Sequence, residues 1–441
     1  MEPKPKPLQV PNVAFVTDDE AAIGEMLYDG HRTAFAVYRR GETHIENSFK
    51  KDAYTRFVPY GAANNIIRNR VVLFPTGAEE YGSENELFDE IRWYIHRYVD
   101  VPARFERICA AFVMLSWVYD RFNEIPYLRV RGDYGSGKTR FLAVVGSVCY
   151  RPIFASGAST VSPLFHLIDS FKGTLLIDEA DFRWSDEKAE IVKILNNGNV
   201  RGMPVLRTHV SREREYNPRA FQVFGPKIVA TRGCYDDPAL ESRFLTHVMG
   251  SEPLRADVPI SLPASQAAEA AQLRNQLLMY RFRTFHKTAV KPCSFESAVD
   301  PRLKQIFAPL MSIVDDPVFR DELSSLASEY TRQIAADRGL RIEAQLLTAI
   351  RACDDGETAI PIKAIVDAFS HLYGGEYDAR ITHRWIGGLI RRKLGLSTRK
   401  SNGNYVIPAE ATPRLVSLYA KYAVEHVDLP PLPHGLPTIH A

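Results

Sequence analysis

The clearest chemical signature of the chain lies in residues 132–139, which read Gly-Asp-Tyr-Gly-Ser-Gly-Lys-Thr. This is the spacing Gly-x-x-x-x-Gly-Lys-Thr of a phosphate-binding loop, in which backbone N–H groups surround an anion. Glycine allows the tight bend because it has no Cβ to obstruct it. The stretch predicts that the phosphates of ATP are bound by Gly132, Gly135, Ser136, Gly137, Lys138 and Thr139.

Two side chains of this loop have separate predicted roles. Lys138 is expected to reach the β- and γ-phosphates, and the Thr139 hydroxyl is expected to bind Mg²⁺. The surrounding residues support this prediction, because an apolar strand at 127–130 precedes the loop and an apolar helix follows it. Strand, loop and helix in this order are the setting in which the motif binds phosphate.

A second stretch, residues 173–181, contains an apolar run that ends in two acids. Residues 175–177 predict a central parallel strand that is buried on both faces. Asp178, at the carboxyl end of this strand, is expected to hold Mg²⁺ beside the phosphate loop. Glu179 is expected to polarise the attacking water as a general base. The pair therefore predicts hydrolysis of the nucleotide, and not only its binding.

Two further residues extend this predicted catalytic centre. Residues 227–231 predict another buried strand, and Thr231 at its end would place a hydroxyl between the acid and the γ-phosphate. Arg243 follows, predicted on the next helix, where it would point away from its own nucleotide and towards that of a neighbouring copy. Arginine suits this role because its planar guanidinium stays protonated and binds phosphate with two donors. A surface arginine in an ordinary salt bridge is the alternative.

In this order, Gly-Lys-Thr at 137–139, Ile-Asp-Glu at 177–179, Thr231 and Ser-Arg-Phe at 242–244 resemble the AAA+ ATPases. The likeness is to minichromosome-maintenance helicases and to the helicases of mobile genetic elements and phage-like primase–helicases, over about residues 75–250. The resemblance implies an oligomeric ring, expected to be a hexamer, with ATP between subunits. It makes Thr231 the sensor 1 residue, where such helicases often have Asn, and Arg243 an arginine finger. No primase signature precedes the loop.

An insertion between Asp178 and Thr231 carries positive charge. Residues 205–210 and 220–223 predict two strands joined by a turn at 211–219, and the resemblance makes this hairpin one that projects into the central pore of the ring. Its basic side chains would contact the phosphates of a DNA single strand. Those chosen as DNA contacts are Arg212 and Arg214, with Arg207, His209 and Arg219 adding charge and Tyr216 available to stack on a base. A solvated hairpin is the alternative.

The C-terminal part of the chain carries a local basic patch that the net charge of +2 conceals. Predicted helices at 342–353, 362–373 and 381–394, then strands at 396–399 and 404–407, follow the pattern of a winged-helix domain. Residues 380–400 contain no acid. We expect duplex DNA to bind here, through Arg380, Arg384, Arg391, Arg392, Lys393, Arg399 and Lys400. A winged helix that contacts protein is the alternative.

Length and composition set the outer limits. The 441 residues, 45% hydrophobic and 24% charged, are ordinary for a soluble globular protein. The predicted fold is an α/β P-loop core with an N-terminal accessory region, a helical lid and a C-terminal winged helix. The predicted boundaries are 1–83 for the accessory domain, 84–251 for the ATPase core, 252–340 for linker and lid, 341–428 for the winged helix and 429–441 for a flexible tail.

Three features of the sequence bear on location and on the lid. The five cysteines are scattered and form no C-x-x-C pair, which disfavours a zinc site or a disulfide framework and fits a reducing compartment. The most apolar stretch, residues 109–119, is shorter than the ~20 residues that a membrane helix needs. A cytoplasmic protein without membrane contact is predicted. In the lid, Arg274, Arg281 and Arg283 are possible nucleotide sensors, although solvated helix faces are the preferred interpretation.

Together these features predict an ATP-dependent DNA helicase or translocase that acts as a ring in the replication of a mobile genetic element or phage-like replicon. Two alternatives remain open. One is an AAA+ initiator or loader that remodels protein–DNA complexes without unwinding DNA. The other is a nucleotide-dependent switch in a defence system, whose C-terminal domain binds protein.

Overall fold

The chain forms two compact units, residues 1–327 and residues 328–441, in the computed structural model. The structure describes residues 6–16, 21–50, 55–156, 159–180, 186–210, 216–235, 237–250, 254–293, 295, 299–339, 342–377, 381–401, 403–422 and 424. Within these ranges, no helix combines the length and the apolar character needed to cross a membrane. The finer division into five segments stays a prediction.

The first unit begins with two small sheets. One is an antiparallel meander of four strands in the order β2-β3-β4-β5, and the other has the order β1-β7-β6. The strands are β1 Lys6–Gln9, β2 Asn12–Val16, β3 Ala21–Tyr28, β4 Thr33–Arg39, β5 Glu42–Glu46, β6 Phe49–Lys50 and β7 Thr55–Val58. Met26, Phe35 and Val37 of the meander are buried in the same core as the main sheet, so the N-terminal region shares its hydrophobic core with the rest of the unit.

In the N-terminal region the sequence predicts strands at 34–38 and 71–74, each followed by a turn signal. The first is present as β4, whereas the second prediction is wrong. Only Val72 pairs there, through an isolated bridge to Ile153 at the edge of the main sheet. The apolar residues of this stretch point into the core instead, where the Phe74 ring lies 6.0 Å from that of Phe171. Burial, and not strand pairing, accounts for their apolar character.

Three helices connect the small sheets to the main one. They are α1 Asn65–Arg68, α2 Glu84–Tyr98 and α3 Ala103–Val118. Helix α2 begins with a capping box, in which Ser83 and Glu86 each accept a hydrogen bond from the other's backbone N–H. Helix α3 is buried on nearly every side, which explains why its sequence is apolar all round instead of amphipathic.

The main sheet has five parallel strands in the order β14-β8-β13-β10-β9. Its elements are β8 Tyr127–Arg131, α4 Lys138–Ser147, β9 Ile153–Ala155, α5 Val161–Phe171, β10 Leu175–Ile177, α6 Asp186–Asn197, β13 Lys227–Thr231, α7 Pro238–Glu241 and β14 Phe244–Val248. Because the strands are parallel, the carboxyl ends of β8, β13 and β10 meet at one edge, with β13 in the middle. That edge is where open α/β sheets bind their ligands.

A two-stranded antiparallel hairpin, β11 Val205–Val210 and β12 Tyr216–Phe221, lies between α6 and β13. The second strand begins four residues earlier than the predicted 220–223, because the register pairs Val210 with Tyr216 and Val205 with Phe221 along the whole length of β11. The turn at 211–215, which holds Arg212 and Arg214, lies outside the described residues.

Helices follow the main sheet, namely α8 Ala264–Thr284, α9 Pro301–Ile313 and α10 Pro317–Gly339. Helix α8 is extensively buried and contacts α2 and α3. The boundary between the two units falls within α10.

The second unit packs four helices with a small antiparallel sheet of order β15-β17-β16. The elements are α11 Ile342–Arg351, β15 Ile360–Pro361, α12 Ile362–Tyr373, α13 His383–Lys393, β16 Arg399–Ser401, β17 Asn404–Ile407 and α14 Thr412–Tyr422. The strand predicted at 396–399 is shifted to β16, because Arg399 pairs with Val406 and Ser401 with Asn404. Arg380 and the tail from residue 425 lie outside the described residues.

Candidate functional site

The phosphate loop joins β8 to α4 in the conformation that its glycines require. Gly135 and Gly137 have φ angles of +78° and +89°, which residues other than glycine rarely adopt. Gly132 is needed for a different reason, since a Cβ there would lie 2.6 Å from the carbonyl oxygen of Met249. The loop therefore packs closely against the residue that follows β14, and this contact restricts its backbone conformation.

The N-terminus of α4 and the Lys138 side chain provide the positive charge of this loop. Gly137 is the N-cap residue and offers no side-chain cap, so the first N–H groups of α4 have neither a capping side chain nor an intrahelical acceptor. Lys138 folds back and donates from Nζ to the carbonyl oxygens of Gly132 and Asp133, both at 2.7 Å. An ammonium group and a helix N-terminus thus converge on the space inside the loop, which suits an anion.

The predicted magnesium ligands are in direct contact. The Thr139 hydroxyl donates to Oδ2 of Asp178 at 2.7 Å, across from α4 to the end of β10. The other oxygen of Asp178, Oδ1, accepts the backbone N–H of Glu179 at 3.0 Å. A hydroxyl and a carboxylate beside a phosphate loop are the oxygen ligands that Mg²⁺ uses together with phosphates and water. The residues present fit this ion.

Glu179 leaves the strand in a strained conformation. Its φ is +54°, a left-handed value that costs a non-glycine residue ~1–2 kcal/mol. The N–H of Ala180 donates to the carbonyl oxygen of Ala230 at 2.9 Å, and this bond to β13 holds the turn in place. The Glu179 side chain is exposed at the same edge as the phosphate loop. This position is open to a water molecule that the carboxylate could polarise.

Thr231 lies at the end of β13, between the strands that carry the loop and the acid. Its carbonyl oxygen accepts the N–H of Gly132 at 3.2 Å, so the loop begins on this residue. Its side-chain hydroxyl is buried and has no hydrogen-bond partner among the described residues. A buried hydroxyl without a partner is costly, and a residue retained in that state marks a place where a ligand or a shifted neighbour completes the bonding.

The structure separates Arg243 from the phosphate loop of its own chain. It lies in the turn between α7 and β14, not on the helix where it was predicted. Its carbonyl oxygen accepts the N–H of Tyr127, at the start of β8, whereas the loop follows the end of that strand. Five residues of strand, about 16 Å, lie between them. Arg243 therefore cannot reach the nucleotide site of its own chain from this position.

Arg243 is instead held by the last turn of α6. Its Nη1 donates to the carbonyl oxygen of Leu195 at 3.1 Å and to Oδ1 of Asn196 at 2.6 Å, while its Nε is buried without a partner among the described residues. Burial, with a smaller effect from Arg302, lowers the pKa of the guanidinium below its ordinary value. No carboxylate among the described residues lies within ion-pair distance of it, although the charge of Asp237 acts to raise its pKa. An anion would be favoured at this place.

Two arginines near Arg243 were missed in the sequence. Arg302 of α9 donates to Oγ of Ser242 at 3.3 Å, which places a second cation beside Arg243. Arg129 of β8 binds both oxygens of Glu241 at 2.6 Å and so fixes α7, the helix that leads to Arg243. Burial acts to lower the pKa of Arg129, but the bond and charge of Glu241 raise it above its ordinary value. A charged residue inside the apolar strand at 127–130 was the signal that could have revealed Arg129.

The lid arginines are not on solvated faces, so the preferred interpretation of Arg274 and Arg281 is wrong. Arg281 is fully buried and donates to Glu25 at 2.7 Å and to both oxygens of Asp120. Arg274 donates to the carbonyl oxygen of Ser147, and burial lowers its pKa to about 10. Both are buried because α8 packs against other helices on most of its surface. Arg283 pairs with Glu80 at 2.5 Å on a partly exposed face.

The arginines at the base of the hairpin are engaged within the chain. Arg207 lies 3.7 Å from Glu190 and stacks over the ring of Phe165. Arg219, opposite it in the register, lies 3.5 Å from Asp169. These two arginines were expected to contribute free positive charge to DNA binding, but neighbouring acids from α5 and α6 partly neutralise them. Among the arginines of the hairpin, the prediction of DNA contact is therefore kept for Arg212 and Arg214 in the turn.

The basic patch of the second unit also changes in three dimensions. Lys393 lies 3.4 Å from Glu343 and Arg399 lies 3.3 Å from Glu410, so the fold brings acids to a stretch that has none in sequence. Lys400 is exposed on β16. The remaining predicted contacts, Arg384, Arg391 and Arg392, lie together on α13 around one cavity.

Comparisons with known proteins find solved structures that resemble the chain at low sequence identity and low TM-score. The chain matches no protein-family model and no curated protein sequence. Similar solved structures include the apo C-terminal region of NrS-1, at 10% identity over 87% of this chain and 95% of that chain, with a TM-score of 0.37. A full-length MCM homologue from Methanopyrus kandleri is 11% identical over 74% of this chain and 76% of that chain, with a TM-score of 0.36.

A third similar structure is the JCV helicase, 13% identical over 56% of this chain and 60% of that chain, with a TM-score of 0.23. TM-scores and identities this low carry no argument about what the chain does. The functional inference therefore depends on the residues of the site.

Proposed function

We propose that this protein is an ATP-dependent DNA helicase or translocase of the AAA+ type. It acts as a homo-oligomeric ring, with six subunits expected, in replication of a mobile genetic element or phage-like replicon in the cytoplasm. One observation carries the proposal: the adjacent Lys138 and Thr139 of the loop and Asp178, which lies 39 residues after Thr139, converge at the carboxyl edge of one parallel sheet. That convergence is what nucleotide hydrolysis requires.

Each residue of this edge has a place in the chemistry. The loop N–H groups and Lys138 would hold the β- and γ-phosphates of ATP, and Thr139 and Asp178 would hold Mg²⁺. When bound, the ion neutralises charge that develops on the phosphates. Glu179 would accept a proton from the attacking water, and the Thr231 hydroxyl would lie between the acid and the phosphate.

The position of Arg243 supports a ring. A residue that cannot reach its own nucleotide, and that carries a half-buried guanidinium without an ion-pair partner among the described residues, is suited to bind phosphate on another subunit. The interface would then be heterologous, and such an interface forms a ring when the rotation between successive subunits closes.

DNA enters the proposal through two regions. The turn residues Arg212 and Arg214 would contact a single strand in the pore. The second unit, for which we propose a winged helix because three helices precede a β-hairpin, would contact duplex DNA through α13 and the β16–β17 hairpin. Lys393, Arg399 and Lys400 belong to that surface, and the weak exposed ion pairs of the first two can yield to phosphate.

The initiator or loader remains a second candidate because of one observation. Arg207 and Arg219 are bound to Glu190 and Asp169, so the base of the hairpin offers less charge to DNA than its composition indicates. A switch that binds protein has no comparable support.

The proposal is tested by ATP hydrolysis measured with and without DNA. The wild-type protein should hydrolyse ATP in the presence of Mg²⁺, and single-stranded DNA should increase the rate. Lys138→Ala should remove this activity while the far-UV circular dichroism stays unchanged. Hydrolysis that persists in Lys138→Ala would show that the phosphate loop is not the site.

A further inference from the structure

The outer face of α13 contains an open cavity of about 420 Å³. This volume lies within the range of ~300–1,000 Å³ that small-ligand sites occupy. The residues that line it are Thr382, Arg384, Trp385, Gly388, Arg391 and Arg392. A helix that reads a groove is expected to present a ridge of side chains, so a depression in its middle requires an explanation.

The depression lies at Gly388, the second of two adjacent glycines in the middle of the helix. Each glycine in a helix costs ~1 kcal/mol relative to alanine. The two glycines therefore destabilise α13, and the space that they leave open is a reason for their presence. Arg392 fills part of that space by folding back, with Nε donating to the carbonyl oxygen of Gly388 at 3.3 Å. A Cβ on Gly388 would lie 3.1 Å from Nη2 of the same arginine.

Three guanidinium groups converge on the cavity. Arg391 donates to Oγ1 of Thr398 at 3.0 Å, and Arg392 donates to its own helix, so both are positioned by neutral groups. Among the residues that the structure describes, neither these two nor Arg384 forms an ion pair with a carboxylate, whereas Lys393 and Arg399 nearby do. Like charges held together repel, and a phosphate that accepts two bonds from a planar guanidinium relieves that repulsion.

The cavity also has an aromatic wall. Trp385 is held by T-shaped contacts with Phe369 and Tyr377, at ring distances of 5.9 Å and 5.5 Å. Its remaining surface faces the cavity and so offers a fixed apolar side next to the arginines. Phosphate-binding cations beside a fixed aromatic ring are the two elements that bind a nucleotide unit of a single strand.

We infer that this cavity holds one unpaired nucleotide of a DNA strand, with its phosphate on the arginines and its base against Trp385. In a paired duplex the bases are stacked inside, and none can enter a cavity on a protein surface without being turned out. The inference rests on the proposed function in that DNA is the substrate, and it changes the expected ligand of α13 from continuous duplex to a junction, bulge or end.

The test is a binding measurement on the full chain without ATP. Fluorescence anisotropy compares a perfect duplex, the same duplex with one unpaired nucleotide at its centre, and free deoxynucleoside monophosphate as a competitor. The bulged duplex should bind roughly tenfold more tightly than the perfect duplex, because stacking of one base is worth ~1–3 kcal/mol. Equal affinity for the two duplexes would overturn the inference, whereas loss of the preference for the bulge at high concentration of the free nucleotide would support it.

Single substitutions distinguish binding in the cavity from general electrostatic attraction between the protein and DNA. Gly388→Leu places a side chain in the cavity and displaces Arg392 from it while keeping the charge of that arginine, so it should abolish the preference for the bulge and lower the affinity for the bulged duplex much more than that for the perfect duplex. Trp385→Ala should have the same effect if the variant folds. Lys400→Ala, outside the cavity, is the matched control and should lower both affinities alike. A preference that survives Gly388→Leu would contradict the inference.

The outcome is distinguishable from that of the proposed function. A bulge preference that depends on the cavity, in a protein without ATP hydrolysis or unwinding, would leave the cavity assigned and remove the helicase. Unwinding by a protein that binds both duplexes equally would support the helicase and remove the nucleotide-binding role of the cavity.

Discussion

At the scale of single residues, the candidate site is defined by two contacts that join distant parts of the chain. Thr139 donates to Asp178, and Thr231 accepts the N–H of Gly132. These bonds hold the loop, the acid and the strand between them in fixed positions. The Thr231 hydroxyl, which is buried without a partner among the described residues, is the group whose bonding the bound nucleotide would complete.

Thr139→Val tests the magnesium assignment at this scale. Valine keeps the shape of threonine but removes the hydroxyl, so the contact with Asp178 and one ligand of the ion are lost. We expect Mg²⁺-dependent ATP hydrolysis to fall by about 100-fold, because loss of charge stabilisation by the ion is worth several kcal/mol.

Thr139→Ser is the matched control, since it retains the hydroxyl and should keep activity within about tenfold of the wild type. The affinity for Mg·ATP, measured by calorimetry, gives a readout independent of turnover. A valine variant with wild-type affinity and rate would remove Thr139 from the site.

At the scale of elements, buried ion pairs join α8, which was predicted as part of a lid, to the rest of the first unit. Arg281 of α8 binds Glu25 of β3 and Asp120, which follows α3, and the Arg151 guanidinium binds Glu25 as well. Such ion pairs stabilise the fold only while all partners are present, because removing one partner leaves the others charged and buried. This network makes α8 a fixed element of the unit.

Arg281→Met should therefore lower the free energy of unfolding by ~3–5 kcal/mol, because Asp120 would lose its ion-pair partner and Glu25 would keep only Arg151. Arg283→Met, two residues along the same helix, is the matched control: its pair with Glu80 is exposed, and its loss should cost less than ~1 kcal/mol. Urea denaturation followed by circular dichroism measures both. Equal effects of the two substitutions would show that the buried network does not stabilise the fold.

The hairpin allows a second prediction at this scale. Arg212→Ala with Arg214→Ala should weaken binding to single-stranded DNA and reduce the slope of log affinity against log salt by about 1.4, at ~0.7 per phosphate contact. Arg207→Ala with Arg219→Ala removes the same charge from the base of the hairpin, where Glu190 and Asp169 already partly neutralise it. An equal change in slope for both double variants would contradict a role of the turn.

The sequence was most informative where the pattern is local. The loop at 132–139 and the acids after β10 could be predicted because each motif is contiguous and lies next to a strand. The contacts that position Arg243, the burial of Arg281 and the acids opposite Lys393 and Arg399 depend on residues far apart in the chain. No local pattern encodes such pairings. The apolar residues at 71–74 show the same limit, since periodicity does not distinguish a buried segment from a strand.

At the scale of the whole molecule, the proposed role of Arg243 involves more than one copy of the chain. The phosphate loop and Arg243 lie at opposite ends of β8, so in the proposed ring a complete site would combine the loop of one subunit with the arginine of the next. Arg302 lies beside Arg243 and would reach the same interface. Hydrolysis at each interface would then move the hairpins along a strand.

Mixing two inactive variants tests this arrangement. Arg243→Ala and Glu179→Gln should each abolish ATP hydrolysis alone, because each removes one half of the shared site. At equal amounts, about a quarter of the interfaces in a randomly mixed heterologous ring combine an intact loop with an intact arginine, so partial activity should return. No recovery at any mixing ratio would contradict action of Arg243 on a neighbouring subunit.

The most direct test of helicase activity is unwinding of a forked DNA substrate with ATP and Mg²⁺, using forks with a single 3′ tail, a single 5′ tail or both. We predict that the wild-type protein separates the strands with one tail polarity preferred, and that Lys138→Ala separates none. ATP hydrolysis stimulated by DNA without strand separation on any fork would contradict a helicase and would favour an initiator or loader.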